Sequence, residues 1–241
     1  MTSVYEKRFD GRDWKELRPI IAKVGIIENA DGSAYFRIGN TEAIAAVYGP
    51  RILHPRHLAD PEKAILRTYY NMMTFSVPDR ASPAPGRREI ELSTVLKRAL
   101  SPVLELELFP RAAIDVYTYI TNADAGTRCA SITAASMALA DAGIPMKDLV
   151  VAVAVGKVGD KLVVDLNKKE EDFEVEGYEA SDMPLAYIPK YDAFSLIQLD
   201  GKLSEDEVKV LLDYGKEACL KIYKIVKEAL KEKYVKIEEE W

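Results

Sequence analysis

The feature that most restricts the fold is an alanine-rich stretch over residues 122–145. Gly126 follows a β-branched run, and Gly143 ends the string of small helix formers, which predicts a helix between these two glycines. Thr127 is predicted as the N-cap of this helix. Because its side chains are so small, neighbouring elements can pack closely on several sides, and we expect the helix to be buried.

The beginning of this helix is a candidate anion-binding site. The first turn of a helix carries unpaired backbone N–H groups and the positive end of the helix dipole, and Arg128 adds a cation at the same place. A buried helix whose first arginine is merely solvated is the simpler interpretation of these residues taken alone.

The rest of the pattern predicts two rounds of strands and helices. In the first round, three strands form a predicted antiparallel meander, followed by a further strand, a helix beginning near Glu89, and a strand that leads into the alanine-rich helix. In the second round, two pairs of strands flank an acidic stretch. A capping box of Ser204 and Glu207 then opens a long final helix.

This order predicts an α/β (α+β) protein. We expect one domain over residues 1–241, composed of two related β-α halves at about 15–150 and 151–234. The two halves are predicted to share one core, with mixed sheets packed around helices.

Charge and composition limit the possible partners. The net charge of −6 argues against a nonspecific nucleic-acid binder. The segment from Arg51 to Arg128 has eleven Lys and Arg against nine Asp and Glu, which fits either a local basic site or chance unevenness. No apolar run is long enough to span a membrane and no signal-peptide pattern opens the chain, so we expect a soluble, cytoplasmic protein. Cys129 and Cys219 lack metal-ligand spacing and are predicted to be buried.

Absent motifs narrow the chemistry. The chain has no glycine-rich nucleotide-binding motif, no serine-hydrolase elbow and no zinc-protease motif, and its histidines are limited to His54 and His57. Catalysis would therefore depend on arginines, carboxylates and a metal held by oxygen ligands, such as Mg²⁺ or Mn²⁺. The acidic stretch over residues 167–182 could supply the carboxylates, although such runs are more often solvated loops.

A set of short motifs occurs along the chain in a fixed order. They are D-G-R, E-L-R-P, A-V-Y-G-P, R-R-E-I-E, F-P-R, A-G-T-R, A-L-A-D-A-G-I-P, D-L-N and D-M-P. Through this ordered set the chain resembles the RNase PH family, and within it the catalytic subunits of archaeal exosome rings, over about residues 10–234. The resemblance implies the RNase PH fold, which is ribosomal protein S5 domain 2-like. It also implies processive 3′ to 5′ phosphorolysis of single-stranded RNA, with the reverse, polyadenylating reaction as a further capacity.

The resemblance assigns roles to several basic residues. Inorganic phosphate, the co-substrate, is expected at Gly126, Thr127 and Arg128, with Arg88 as a second phosphate-contacting arginine. The RNA is expected to contact the remaining basic positions, which are Arg87, Arg67 and, in a loop that lines the RNA entrance of such rings, Arg56 and His57. Tyr69 stands where relatives carry a second arginine.

The catalytic carboxylates of the family are harder to match to positions in this chain. In the family two aspartates lie six positions apart, whereas Asp172 and Asp182 are ten apart here, so this loop carries extra residues. The D-M-P context identifies Asp182, and Asp172 is the best match for its partner, with Glu171 as the open alternative. The two acids are expected to bind Mg²⁺ or Mn²⁺ and to protonate the leaving 3′ oxygen.

The resemblance also implies an assembly. The expected partners are a paralogous, noncatalytic RNase PH-like subunit in a heterohexameric ring, S1/KH-type RNA-binding cap subunits, and single-stranded RNA. Three alternatives stay open: a homohexameric tRNA-trimming RNase PH, a noncatalytic ring subunit, and a general RNA-binding module.

Overall fold

The first half of the chain folds into a five-stranded sheet. The computed structural model describes residues 5–175 and 178–239. The strands of this sheet are β1 (Ile20–Val24), β2 (Gly32–Ile38), β3 (Thr41–Ile52), β4 (Ile65–Met72) and β5 (Ala112–Asn122). Their spatial order is β1-β2-β3-β5-β4, with β4 parallel to β5 and the other neighbours antiparallel. The predicted meander of β1 to β3 is confirmed.

The second half contributes an antiparallel sheet of four strands in the order β11-β10-β6-β7. These strands, with the small hairpin β8–β9 between them in sequence, are β6 (Val151–Val158), β7 (Lys161–Val164), β8 (Glu174–Val175), β9 (Tyr178–Glu179), β10 (Ser181–Ile188) and β11 (Ala193–Ile197). The helices are α1 (Arg87–Leu100), α2 (Thr127–Asp141), the single-turn α3 (Lys168–Glu171) and α4 (Glu205–Glu239).

The alanine-rich helix α2 is the centre of the core and contacts both sheets. Toward the first sheet, a Cβ built on Gly32 of β2 would lie 2.2 Å from the backbone nitrogen of Ala142, so the close approach of strand and helix requires glycine there. Toward the second sheet, hydroxyls of α2 accept hydrogen bonds from backbone N–H groups, from Ala152 to Thr133 at 3.1 Å and from Val150 to Ser136 at 2.8 Å. The prediction of a buried helix is confirmed.

Two local predictions are wrong. Gly126, with φ of 66°, is the N-cap of α2, and Thr127 is instead its first helical residue. The acidic stretch is not simply a loop, because Asn167 caps α3 with a side chain that accepts a hydrogen bond from the Glu170 N–H, and β8 and β9 follow. Residues 176 and 177 of that stretch lie outside the described residues.

The burial of the cysteines is confirmed for Cys129 and Cys219. Across the described parts of the chain, none of the helices has the length and apolar character needed to cross a bilayer.

Candidate active site

The connection from β5 into α2 forms a left-handed turn, which is the candidate anion-binding turn. Ala125 and Gly126 are consecutive residues in the left-handed region, with φ of 57° and 66°. Glycine adopts this conformation without strain, whereas for Ala125 it costs about 1–2 kcal/mol. The turn has no side-chain cap, so the first N–H groups of α2 are left for another acceptor.

Two buried polar atoms beside this turn lack partners. Among the residues that the structure describes, Arg128 Nε and Asp182 Oδ1 are both buried without a hydrogen bond. Such groups are costly unless something satisfies them, and an unpaired donor close to an unpaired acceptor is what a bound polar ligand would complete.

The carboxyl group of Asp182 has an unusual pKa. Burial, followed by the negative charges of Glu171 and Asp200, raises the pKa of Asp182 to about 7, against the opposing effect of Arg128. A carboxyl group with a pKa near neutrality can hold a proton and release it under ordinary conditions, which is the property required of a general acid.

Sheet geometry explains the position of Asp182. It lies in β10 opposite Gly156 of β6, where a built Cβ would come within 2.0 Å of the Ser181 carbonyl oxygen, so only glycine allows this pairing. Cys129 lies in the first turn of α2, and burial raises the pKa of its thiol. The charge of Asp182 is the next largest cause of that increase, so Asp182 acts electrostatically on the start of α2. The carboxyl group of the second half therefore lies beside the helix start supplied by the first half.

The charges of Arg88 and Arg128 both act on Tyr70. The Tyr70 hydroxyl donates a hydrogen bond of 3.1 Å to Thr127 Oγ1. Burial raises the pKa of Tyr70, and the positive charges of Arg88 and Arg128 act in the opposite direction. Both guanidinium groups therefore act electrostatically on a hydroxyl that is hydrogen-bonded to Thr127. The assignment of Arg88, Thr127 and Arg128 to phosphate stays a prediction.

Tyr70 is a site residue that sequence reasoning missed. It is 3 % exposed and lies on the core-facing side of β4, where a buried tyrosine hydroxyl needs a partner. The alternation of core-facing and outward-facing residues along β4 was the sequence signal that could have identified Tyr70. Its partner, Thr127, is 57 positions away in the sequence and belongs to no shared motif.

Arg87 and Arg88 are the first two residues of α1, and both are exposed. The helix start is fixed by Glu89, whose carboxylate accepts a hydrogen bond of 2.8 Å from the Gly86 N–H. The predicted helix near Glu89 is confirmed, and it begins two residues earlier than expected.

Glu171, the last residue of α3, and Asp172, its C-cap, differ in exposure. Both pair with Lys168, at 3.2 Å and 2.7 Å, but the Glu171 side chain is 36% exposed and that of Asp172 is 60% exposed. The charge of Glu171 raises the pKa of Asp182, so Glu171 lies within electrostatic reach of the buried carboxyl group. The structure thus brings the alternative residue, Glu171, toward Asp182, and the assignment of Asp172 stays a prediction.

The donor set fits a metal that shares its ligands with substrate. Over residues 5–175 and 178–239, no group of three or more His, Cys, Asp or Glu side chains is arranged to hold an ion. Mg²⁺ is usually held by one or two carboxylates, with phosphate oxygens and water completing its shell. The unpartnered Oδ1 of Asp182, with Glu171 near it, provides such a partial set.

The remaining predicted RNA contacts are two exposed residues and one half-buried residue. Arg56 and His57 are exposed in a single 3₁₀ turn on the connection between β3 and β4. Arg67 makes a two-point ion pair with Asp115 across the parallel β4–β5 pair, so its charge is partly neutralised. Tyr69 stacks on Tyr117 with ring centroids 4.7 Å apart.

Two β-α halves that meet at an anion-binding turn are the arrangement expected of an enzyme that handles phosphate groups. Comparison with known sequences identifies the family within this class. The chain belongs to the 3′ exoribonuclease family, RNase PH, because residues 16–145 match the model of its domain 1 and residues 148–218 match the model of its domain 2.

Individual relatives agree with this family. A protein of Thermococcus kodakarensis named "Exosome complex component Rrp41" is 52% identical over 234 residues, which covers 97% of this chain and 92% of the relative. The crystal structure of rice (Oryza sativa) Rrp46 superposes with a TM-score of 0.81 at 28% identity, covering 93% of this chain and 100% of that one. An Archaeoglobus fulgidus exosome with RNA bound to the active site gives a TM-score of 0.77 at 24% identity over 90% and 91% of the two chains, which supports the fold alone.

Proposed function

We propose that this chain is the catalytic subunit of an exosome ring and degrades single-stranded RNA from its 3′ end by phosphorolysis. The observation that carries the proposal is the electrostatic coupling of Arg128, in the first turn of an uncapped helix, with Asp182, since each of these two side chains has a buried atom without a hydrogen-bond partner. High identity to proteins named as exosome components supports the assignment to that complex.

In this proposal inorganic phosphate is the nucleophile. One of its oxygens attacks the phosphorus of the last phosphodiester bond, the bond from that phosphorus to the 3′ oxygen breaks, and a nucleoside diphosphate leaves. The nucleophile and its target are both anions, so their approach requires positive charge that is already in place. Arg88, Arg128 and the first N–H groups of α2 supply that charge, and the Thr127 hydroxyl adds a donor.

The shortened RNA leaves with a 3′ oxygen that needs a proton. Asp182 is the proposed donor, because its pKa of about 7 keeps a substantial protonated fraction near neutrality. Mg²⁺ or Mn²⁺ would be held by Glu171 or Asp172 and by Asp182 in its ionised form, after the proton has been given up, and would neutralise charge on the phosphate oxygens.

RNA contacts and assembly complete the proposal. Arg87 beside the phosphate site, with Arg56, His57 and Arg67, would contact sugar and phosphate without sequence preference. A noncatalytic RNase PH-like paralogue in a heterohexameric ring and S1/KH-type cap subunits are the proposed partners, in the cytoplasm. Such a ring accounts for RNA binding by an acidic subunit, because basic charge is needed only along the path of the strand.

Specific features weigh against the alternatives. A noncatalytic ring subunit or a simple RNA-binding module would not need the phosphate-site arginines together with a buried acid, and Arg88, Arg128 and Asp182 are all present. A homohexameric tRNA-trimming RNase PH would use the same site, so oligomeric state separates it from the proposed heterohexamer.

The test is a product analysis. Uniformly labelled RNA is incubated with this chain, alone and with its paralogue, in the presence or absence of phosphate and Mg²⁺. The proposal predicts nucleoside diphosphates that appear only with phosphate and depend on the paralogue. Monophosphates would indicate hydrolysis and contradict it, and activity of the pure chain as a hexamer would favour the homohexameric enzyme.

Two charge reversals on the same helix form a test variant and its matched control. Arg88→Glu places a negative charge at the start of α1 and is expected to reduce phosphorolysis about a hundredfold or more. Arg98→Glu makes the same change at an exposed position near the end of that helix and should leave the rate almost unchanged. Equal rates for the two variants would contradict the site assignment.

A further inference from the structure

Arg18 is a buried guanidinium group that joins the two halves of the chain. Its side chain is 4 % exposed. Arg18 Nε donates to Asp165 Oδ2 at 3.0 Å and Nη2 donates to Asp165 Oδ1 at 2.7 Å, and the Arg18 backbone N–H donates to the same carboxylate at 2.8 Å. Asp165 directly follows β7, so one end of this contact belongs to the second half.

The other end of the guanidinium group holds the anion-binding turn. Arg18 Nη1 donates to the Asp124 carbonyl oxygen at 2.6 Å, immediately before the two left-handed residues. A Cβ built on Gly126 would lie 3.5 Å from Arg18 Nη2, so the guanidinium group packs directly against the turn. Thr41 supports the same turn by donating to the Ala125 carbonyl oxygen at 2.6 Å. These contacts stabilise a backbone that is strained at Ala125.

Asp124 extends the connection to the acidic helix. Its Oδ1 accepts a hydrogen bond of 3.0 Å from the backbone N–H of Lys168, the first residue of α3. Glu171, which acts on the pKa of Asp182, is the last residue of α3. A continuous chain of hydrogen bonds therefore runs from the turn that precedes Arg128 to the helix that carries the second acid.

The chemistry of this position requires arginine. Burial lowers the pKa of Arg18, but the charge and hydrogen bonds of Asp165 outweigh this effect and raise the pKa above its ordinary value. The planar fork of a guanidinium group donates to a carboxylate with two nitrogens and keeps a third directed at the carbonyl oxygen. A lysine ammonium group at the same depth is a single point and cannot span both acceptors.

We propose that Arg18 is a positioning residue for the anion site: it fixes the start of α2 against α3, so that the phosphate-binding groups and the acids keep one relative placement. Arg18 itself contacts neither phosphate nor RNA in this proposal. The inference rests on the proposed function, since it assumes that the start of α2 binds inorganic phosphate.

The test measures phosphate binding directly, apart from catalysis. Inorganic phosphate is titrated into the full chain while the backbone amide NMR signals of Gly126, Thr127 and Arg128 are followed. Arg18→Ala and Arg18→Lys are compared with Arg12→Ala. Arg12 is a matched control because it also donates to Asp165, at 3.0 Å, but it makes none of the contacts that hold the turn.

The expected results separate the inference from the function on which it rests. Both Arg18 variants should bind phosphate roughly tenfold more weakly or worse, a size typical of lost hydrogen bonds to charged groups. Arg12→Ala should bind as the wild type does. Guanidinium ion, added below denaturing concentrations, should restore much of the affinity of Arg18→Ala. In the assembled complex, KM for phosphate should rise while KM for RNA stays unchanged.

Three outcomes count against the proposals in different ways. Absence of saturable phosphate shifts in the wild type would remove the proposed phosphate site itself. A folded Arg18→Lys with wild-type affinity would overturn the positioning role and leave the phosphate site intact. An equal loss in Arg12→Ala would also overturn it, because the effect would then be one of general stability.

Discussion

Tyr70 on β4 donates its phenolic hydrogen to Thr127 Oγ1, at 3.1 Å, in the first turn of α2. A hydroxyl group has one hydrogen to donate and two lone pairs to accept with. When Thr127 accepts from Tyr70, its own hydrogen is available for an anion at the helix start. The first sheet thus orients a donor of the proposed phosphate site.

Removal of that phenolic donor should weaken phosphate binding. Tyr70→Phe keeps the ring but leaves the Thr127 hydroxyl free to rotate, and we expect a loss of about 1 kcal/mol in both phosphate affinity and the free energy of unfolding. Phosphate titration and thermal denaturation measure the two quantities. Tyr69→Phe, at the neighbouring position that is 42% exposed, is the control. Unchanged phosphate affinity in Tyr70→Phe would show that the hydroxyl is not oriented in this way.

The two acids at the end of α3 are expected to differ in importance. Glu171→Gln should reduce phosphorolysis strongly, about tenfold or more, because it removes the charge that acts on Asp182. Asp172→Asn should have a small effect, because that carboxylate is 60 % exposed, whereas Glu171, which shares the ion pair with Lys168, is 36% exposed. Single-turnover rates of the assembled complex decide between them, and the reverse ranking would restore Asp172 as the partner of Asp182.

The raised pKa of Asp182 has a consequence for stability. The unfolded chain ionises Asp182 near its ordinary value of 3.8, whereas the folded chain ionises it near 7, so the folded state loses stability as the pH rises between these values. Asp182→Asn removes this penalty, at about 1.4 kcal/mol for each unit of pKa shift. We expect a gain of about 2–4 kcal/mol in the free energy of unfolding at about pH 8, and little gain at acid pH.

Denaturant unfolding of the isolated chain tests this stability prediction, in buffer without phosphate or divalent metal. Asp206→Asn, at a side chain that is 98% exposed, is the control and should show no pH-dependent gain. A destabilised Asp182→Asn above neutral pH would contradict the prediction.

The buried pair of Arg8 and Glu170 should have the opposite pH dependence. Burial raises the pKa of Glu170, but the hydrogen bond and charge of Arg8, with Asn167 and Tyr5, outweigh it and lower the pKa. The pair therefore stabilises the fold above the ordinary value of 4.5, and this contribution is lost as the pH falls through the lowered pKa. Glu170→Gln leaves Arg8 buried without its charged partner, which should cost about 3–5 kcal/mol.

Urea unfolding at neutral and acid pH measures this loss. The deficit of Glu170→Gln relative to the wild type should shrink toward acid pH, where the wild type loses the same charge. Glu179→Gln at an exposed position is the control. A deficit that stays constant with pH would show that shape, and not charge, determines the role of Glu170.

Local patterns predicted those parts of the fold whose causes are local. The small residues and flanking glycines of α2 predicted its burial, and the capping box is present, with the Ser204 N–H donating to Glu207 Oε2 at 2.8 Å. The arginines at the starts of α1 and α2 were identified for the same reason, since helix starts have recognisable sequence signals.

Local sequence patterns could not predict the long-range contacts. The carboxylate of Asp165 is 147 positions from Arg18 in the sequence, and no periodicity relates the two. The short α3 was missed because four residues carry too little pattern to distinguish a helical turn from an acidic loop. The choice between Glu171 and Asp172 depends on that turn, which is why sequence spacing left it open.

The packing of α2 against both sheets has a consequence for how the protein unfolds. The two family domains divide between residues 145 and 148, yet the backbone N–H groups of Val150, just before β6, and of Ala152, in β6, donate hydrogen bonds to hydroxyls of a helix from the other domain. Neither domain has a complete interior of its own. The domain boundary seen in the sequence therefore does not separate two units that unfold independently. Heating should unfold both domains in one calorimetric transition.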